Sequence, residues 1–152
     1  QRAILVFGVP CSGKTTFSKQ FAEQFNATFY DLDKLRDEHN LSRKFILLLI
    51  AEVARTGATL VIEGGNDTEK DRKELAEILR AEGYLPTLIW IQTDVSTVRA
   101  RLKNKLKSVE KAKTVYDTRI KALEAPSDAE SPIVLSGKHT YPAQLKQVLR
   151  QL

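Results

Sequence analysis

The residues of this sequence that are best suited to chemistry lie near its start, in the segment GVPCSGKT from Gly8 to Thr15. The segment matches the pattern G-x-x-x-x-G-K-[ST] at every fixed position. Its two glycines let backbone N–H groups turn inward, which forms a concave site for phosphate oxygens. Lys14 can reach the β- and γ-phosphates as a point charge, and the Thr15 hydroxyl is suited to Mg²⁺. The pattern therefore predicts a site for a nucleoside triphosphate.

The segments beside this loop are those that such a site requires. The apolar run Ala3–Phe7 predicts a buried strand before the loop. Phe17, Phe21 and Phe25 follow the loop at intervals of four residues and predict a helix. That helix would add its positive N-terminal end to the phosphate site. The alternative is a glycine-rich turn that matches by chance, and it leaves the strand–loop–helix order unexplained.

A second reactive group follows the next predicted strand, Ala27–Tyr30. Asp33 and Arg36 lie three residues apart there, a carboxylate beside a cation. A phosphoryl acceptor needs both, because its hydroxyl must lose a proton and must be held in place. The alternative is an aspartate that caps a helix and an arginine that is merely exposed. With a phosphate loop upstream, we favour Asp33 as a general base and Arg36 as a contact to the acceptor.

Two further candidates follow the third predicted strand, Ala58–Ile62. Glu63 can hold Mg²⁺ through a water molecule, together with Thr15, or it can hydrogen-bond the backbone of the phosphate loop. The residue types do not separate these two roles. Asn66 can contact an acceptor hydroxyl, although an asparagine after two glycines is also common in turns.

The excess positive charge of the chain is concentrated in one segment. The net charge is +5, and residues 94–113 alone contain seven cations and two acids, which accounts for all of it. A run of this kind is commonly a solvated helix face. In a protein with a phosphate loop, we expect instead a basic lid over about residues 94–123.

Length and composition bound the class of protein. The 152 residues suit one domain spanning 1–152, with 42% hydrophobic and 28% charged residues. The longest apolar run, Phe45–Ala51, is far shorter than the ~20 residues of a membrane span. A single cysteine cannot form an internal disulfide. With no signal peptide recognised, we expect a cytoplasmic protein without a membrane partner.

The order of elements predicts an α/β fold in three layers. Two further strands are expected at Pro86–Ile91 and Ile133–Leu135, which gives a five-stranded parallel sheet with helices on both faces. A helix over Ser42–Thr56 is apolar nearly all round and is expected to be buried, and Asp67 is expected to cap the helix after it. Ligands of such sheets bind beyond the carboxyl ends of the strands, where all the candidates above lie.

These residues resemble those of a known family, the small P-loop kinases of the AAA type that are related to polynucleotide 5′-hydroxyl kinase, gluconate kinase and zeta-toxin-like kinases. The resemblance covers nearly the whole chain, through GVPCSGKTT, the D-x-x-R of Asp33 to Arg36, VIEGGN, and IWIQTD followed by VRARLKNK. It implies the P-loop kinase fold, ATP and Mg²⁺ as cofactors, Asp33 as the general base and Arg36 as the clamp on the acceptor.

The resemblance also implies that the basic segment is the lid that closes over the phosphates. Arg101 matches the leading arginine of the lid, and Lys105 stands where a second arginine is usual. Lysine cannot make the bidentate phosphate contact of arginine, so Arg99 is an alternative. Lys14, Asp33 and Arg101 are the predicted catalytic residues. The residues predicted to bind the nucleotide are Gly8, Pro10, Cys11, Ser12, Gly13, Lys14, Thr15, Thr16, Arg101 and Lys105.

The function predicted is that of an ATP-dependent kinase with a hydroxyl acceptor. The acceptor can be a small molecule, a nucleoside or nucleotide, or a polynucleotide 5′ end. Aromatic residues make up only 7% of the chain, and none lies among the cations between Arg99 and Lys113, which favours a small molecule. The alternative is a P-loop NTPase or a nucleotide-dependent regulatory module without an acceptor. The oligomeric state is left open.

Overall fold

The computed structural model describes residues 1–152 and contains one five-stranded sheet in which all neighbouring strands are parallel. The sheet order is β2-β3-β1-β4-β5. The strands are β1 (Arg2–Phe7), β2 (Thr28–Asp31), β3 (Leu60–Glu63), β4 (Leu85–Gln92) and β5 (Ile133–Ser136). The predicted α/β fold with a five-stranded parallel sheet is confirmed. The strand that leads into the phosphate loop is the central one, and only its first residue is exposed.

Seven helices accompany the sheet, with a short 3₁₀ helix at Asp128–Glu130. One hydrophobic cluster joins one face of the sheet to the helix after the phosphate loop and to the last helix. The other cluster lies on the opposite face, under the third and fourth helices, which completes three layers. The helices are α1 (Lys14–Gln24), α2 (Leu32–His39), α3 (Arg43–Ala54), α4 (Glu69–Ala81), α5 (Val95–Leu106), α6 (Val109–Ala122) and α7 (Tyr141–Leu149).

Side-chain caps set where several helices begin. Ser42, Asp94 and Ser108 each accept a hydrogen bond from a backbone N–H three residues on, at the starts of α3, α5 and α6. The cap of α4 differs from the prediction. Thr68, and not Asp67, accepts from the N–H of Asp71 at 3.1 Å. This leaves the carboxylate of Asp67 free for a different contact, described below.

The segment from Lys34 to Asn40 lies largely within α2. The side chain of Asp31 caps this helix by accepting from the N–H of Lys34. The helix begins immediately after β2, and it therefore holds Asp33 at the carboxyl end of the sheet.

The expectation that α3 is buried nearly all round is wrong. Ile46, Ile50 and Ala54 face the core, whereas Phe45 is 49% exposed and Leu48 is 59% exposed. The helix lies in the outer layer, so only one stripe of its surface meets the sheet and its neighbours. Among all the helices, none combines the length and the hydropathy needed to cross a membrane.

Candidate active site

The loop between β1 and α1 has the conformation that a phosphate site requires. Cys11 and Gly13 both have positive φ, 59° and 107°. A Cβ on Gly8 would lie 2.5 Å from the carbonyl oxygen of Ile91, so only glycine fits there. The amine of Lys14 donates to the carbonyl of Gly8 at 2.7 Å. Burial lowers the pKa of this amine, an effect that Glu63 opposes.

A cavity of about 760 Å³ opens beside this loop. The P-loop forms one part of its wall, and the carboxyl ends of β2 and β3 form another. The α5–α6 hairpin and the β5–α7 connection complete it. Only three of the twenty lining residues are hydrophobic, so the cavity suits a polar, charged ligand.

Thr15 and Glu63 meet at the base of the cavity. The hydroxyl of Thr15 donates to Oε1 of Glu63 at 2.6 Å. Glu63 is only 5% exposed, and burial raises the pKa of its carboxyl, although the hydrogen bond from Thr15 opposes the shift. Its second oxygen, Oε2, is buried and has no hydrogen-bond partner.

These oxygens fit the Mg²⁺ that the resemblance implies. Mg²⁺ in phosphate sites is held by one or two carboxylates, by substrate phosphates and by water. A carboxylate with one unpartnered buried oxygen, beside the hydroxyl of the phosphate loop, is a donor set of that kind. Of the two roles left open for Glu63, the contact to the loop is made to a side chain and not to its backbone.

Asp33 is half-buried, and both of its carboxylate oxygens have neighbours. Oδ1 accepts from the N–H of Gly65 at 3.1 Å and lies 3.5 Å from Nη1 of Arg36. Oδ2 lies 3.6 Å from Nη2 of Arg119. A Cβ on Gly64 would come within 2.7 Å of Oδ2 and 2.9 Å of the backbone nitrogen of Asp33, so this close approach also requires a glycine. The carboxylate lines the cavity together with Lys14 and Thr15.

Arg119 is a charged residue of the cavity that the sequence did not predict. It lies in the last turn of α6, lines the cavity, and forms a second ion pair with Oδ2 of Asp67 at 3.0 Å. Burial raises the pKa of Asp67, and the charge of Arg119 acts against that shift. Arg119 lies beyond the basic run that ends at Lys113, and nothing in the local sequence separates it from other helix cations.

The predicted lid cations divide into two groups. Arg101 donates to the backbone carbonyls of Cys11 at 3.0 Å and Gly137 at 3.3 Å, and both Arg101 and Lys105 line the cavity. Arg99 does not. Its guanidinium lies 3.5 Å from Asp117 and 5.1 Å from the ring centroid of Tyr116, on another face of the hairpin. The structure therefore does not bring Arg99 to the cavity as a substitute for Lys105.

Some of the other predicted residues line the cavity and some lie away from it. Arg36 is exposed at the cavity wall. Asn66 is 1% exposed, and its amide donates to the carbonyl of Val6 at 3.1 Å, so it lies behind the cavity and we leave it out of the acceptor site. Ser12 is fully buried within the loop. Four predicted residues of the phosphate loop and its helix line the cavity: Pro10, Cys11, Gly13 and Thr16. Six lining residues were not predicted: Gln20, Asp31, Asp37, His139, Tyr141 and Gln144.

Comparison with known proteins identifies the family to which the chain belongs. A family profile described as an AAA domain matches residues 4–126, most of the chain. The chain belongs to the AAA domain family. The resemblance to small P-loop kinases is thereby confirmed. None of the curated proteins compared with the sequence matches it significantly.

Solved structures share the fold over almost the whole chain. A sugar kinase from a Janibacter species superposes with a TM-score of 0.78 at 20% identity, covering 99% of this chain and 93% of its own. A gluconokinase from Sinorhizobium meliloti gives 0.75 at 17% identity, covering 98% and 90%. Kti12 from Chaetomium thermophilum, solved in complex with ADP-AlF3, gives 0.75 at 17% identity, covering 98% and 96%. At these identities the likeness concerns the fold, which is that of a P-loop kinase.

Proposed function

We propose that this protein is an ATP-dependent kinase that transfers the γ-phosphate to the hydroxyl of an acceptor. The observation that carries the proposal is the carboxylate of Asp33, which lines the same cavity as Lys14 and Thr15 and is flanked by two arginines, Arg36 and Arg119. A phosphate site needs no such carboxylate for binding alone, whereas phosphoryl transfer to a hydroxyl needs a group that accepts its proton.

In the proposed reaction the acceptor oxygen attacks the γ-phosphorus, and the bond to the β–γ bridging oxygen breaks, releasing ADP. Asp33 takes the proton of the acceptor hydroxyl. Lys14 and Arg101 stabilise the charge on the phosphates, and Lys105 adds a point charge from the hairpin. Thr15 and Glu63 would hold Mg²⁺, which would offset negative charge on the phosphates when bound. Arg36 holds the acceptor.

The acceptor that fits best is a small polar hydroxyl compound. The residues beside Asp33 in the cavity lining are charged: Asp31, Arg36, Asp37 and Arg119. The aromatic side chains of the lining, Phe17, His139 and Tyr141, come from α1 and from the segment after β5. The names of two structures with this fold, a sugar kinase and a gluconokinase, fit an acceptor of this class.

The alternative is a nucleotide-dependent module without an acceptor. Kti12 and the gluconokinase superpose on this chain with the same TM-score, 0.75, so the fold alone does not distinguish a kinase from this alternative. The two functions differ in what Asp33 does, because a module that only hydrolyses ATP or changes conformation needs no base for an acceptor hydroxyl.

The test is transfer of labelled γ-phosphate from Mg-ATP to a panel of acceptors. The panel contains sugars, sugar acids, nucleosides, and DNA and RNA with 5′-hydroxyl ends, and the Asp33→Asn variant is run beside the wild type. We expect label in one small-molecule class and loss of that label in the variant. Release of free phosphate alone, at equal rates in both proteins, would contradict the proposal and favour the module.

A further inference from the structure

We infer that Arg119 is a positioning residue for the general base, held in place by Asp67. The inference rests on the proposed function, since it assigns a role beside Asp33. It concerns Oδ2 of Asp33, because α2 and the loop after β3 make their polar contacts to the other oxygen, Oδ1.

The two oxygens of Asp33 are held by different parts of the chain. The N–H of Gly65 and the guanidinium of Arg36 both approach Oδ1. Oδ2 is approached by a cation from one side chain only, Arg119. With Arg119 removed, the remaining hydrogen bond and the remaining ion pair are both on Oδ1, and the carboxylate can rotate about its Cβ–Cγ bond. Arg119 therefore restrains that rotation and fixes the direction in which Oδ2 faces the cavity.

Asp67 forms the closer ion pair with Arg119. One nitrogen, Nη2, makes the closest approach to both acids, at 3.0 Å to Asp67 and 3.6 Å to Asp33. The shorter distance is to the acid that does not line the cavity. Asp67 is thus the anchor of the arginine, and the base is the group that the arginine orients.

The anchor is itself fixed by the backbone around it. The carbonyl of Asp67 accepts from Nη1 of Arg72 at 2.9 Å and from the N–H of Glu124 at 2.8 Å. Arg72 is 2% exposed, contacts the face of Phe7, and forms a two-point ion pair with Glu130 at 2.6 and 3.3 Å. A buried arginine paired in this way does not move readily, because separating the pair would leave a buried charge without a partner.

The end of α6 that carries Arg119 is tied to the body of the fold. Leu123, which follows α6, packs against the core cluster under α3 and α4. Glu124 accepts from the N–H of Glu69, at the start of α4, at 3.0 Å. The opposite end of α6 belongs to the basic hairpin. Arg119 therefore lies at the end of the α5–α6 hairpin that packs against the core, and its position does not depend on movement of the turn between α5 and α6.

The experiment compares Arg119→Ala, Arg119→Lys and Asp67→Asn in the labelled-phosphate assay, with the same acceptor panel. For Arg119→Ala we expect kcat to fall about 100-fold with the KM for ATP unchanged, since misplacing a reacting group by about 1 Å costs about that factor. Added guanidinium chloride should restore part of the lost kcat, because the vacated site between two carboxylates accepts the free cation. Asp67→Asn should lower kcat by about 10-fold, since Arg119 is then held only by Asp33.

Arg99→Ala is the matched control. Arg99 lies in the same hairpin and also pairs with an aspartate, but away from the cavity. Its variant should keep the wild-type kcat and should not respond to guanidinium. Arg119→Lys keeps the charge but replaces the rigid, planar guanidinium with a flexible ammonium, so it should fold as the wild type does and still lose about 10-fold in kcat.

The outcomes separate this inference from the proposed function. A wild type that transfers label, with Arg119→Ala and Arg119→Lys within twofold of its kcat, overturns the role of Arg119 alone. A loss in Arg119→Ala that matches a fall in its melting temperature, and that guanidinium does not relieve, also overturns it. A wild type that transfers no label to any acceptor overturns the proposed function instead.

Discussion

At the scale of single residues, Glu63 combines a structural cost with a proposed role. Its carboxylate is buried beside Thr15, and Oε2 has no partner. An unsatisfied buried oxygen destabilises the fold by about 1–3 kcal/mol. Bound Mg²⁺ and its water would satisfy that oxygen. Glu63 therefore lowers the stability of the free protein at a position where it would contribute to the binding of Mg²⁺.

The corresponding prediction concerns Glu63→Gln and pH. Burial raises the pKa of Glu63 in the folded protein above its ordinary value of 4.5. The folded state then binds the proton more readily than the unfolded chain, so the free energy of unfolding falls as pH rises from about 4.5 through the raised pKa. At neutral pH the neutral amide avoids the cost of burying the charge, so the variant should be at least as stable as the wild type even though it gives up the charge pair with Lys14. Below pH 4.5 this difference should disappear.

Urea denaturation between pH 4 and 8 measures this difference, and titration with Mg-ATP measures the expected loss of affinity. Glu23→Gln, on the exposed side of α1, is the control and should change neither quantity. A Glu63→Gln variant that is less stable than the wild type at neutral pH would show that the buried carboxylate is better satisfied than the geometry indicates.

Gly64 supports the second prediction at this scale. Alanine at Gly64 would place a Cβ 2.7 Å from the carboxylate of Asp33, at a φ of +81°. Alanine at Gly83 meets the same backbone strain, at a φ of +83°, with no atom within 4 Å. Gly83→Ala should therefore lose about 1–2 kcal/mol of stability, and Gly64→Ala should lose at least as much because its Cβ also displaces Asp33. Only Gly64→Ala should lose transfer activity, by about 100-fold. Equal activity in the two variants would mean that Asp33 tolerates displacement.

At the scale of elements, the sequence predicts those parts of the site that lie close together along the chain. The phosphate loop, the strand before it and the helix after it are specified by one continuous run of residues. Asp33 could be predicted because it follows a strand end by two residues. Ser108 likewise acts locally, since it caps α6 by accepting from the N–H of Lys111, three residues on.

Contacts between distant segments could not be predicted in this way. Arg119 reaches Asp33 and Asp67 from positions 86 and 52 residues away along the chain. Asn66 has the residue type of a substrate contact, but the fold turns its amide toward the carbonyl of Val6. The apolar run in α3 suggested burial on all sides, and only its packing against one layer shows which side chains stay exposed.

This division of α3 gives a prediction about stability. Ile50 is fully buried and Leu48 is 59% exposed, although both lie in the same apolar run. Ile50→Ala should lower the free energy of unfolding by about 2–4 kcal/mol, because it leaves a cavity in the core. Leu48→Ala should change it by less than about 1 kcal/mol. Urea denaturation of both variants checks this, and equal losses would show that Leu48 is covered in solution.

At the scale of the whole molecule, the distribution of charge bears on the class of acceptor. The excess cations lie in the α5–α6 hairpin, where Arg101 and Lys105 line the cavity. Four other lysines of the basic segment 94–113 are exposed and do not line the cavity: Lys103, Lys107, Lys111 and Lys113. A small acceptor meets only the cavity, whereas a polynucleotide would extend over such exposed cations.

We therefore expect salt to have little effect on transfer to the proposed small-molecule acceptor. Between 50 and 200 mM salt, kcat/KM for the acceptor should fall by less than about 10-fold, whereas a protein making six to ten phosphate contacts loses about 10³–10⁵ in affinity. Replacing the four exposed lysines by glutamine should leave kcat/KM within about threefold, and Lys105→Gln should lower it through weaker phosphate contacts. A steep salt dependence that the fourfold variant removes would instead identify the hairpin as a track for a nucleic-acid backbone, and the acceptor as its 5′ end.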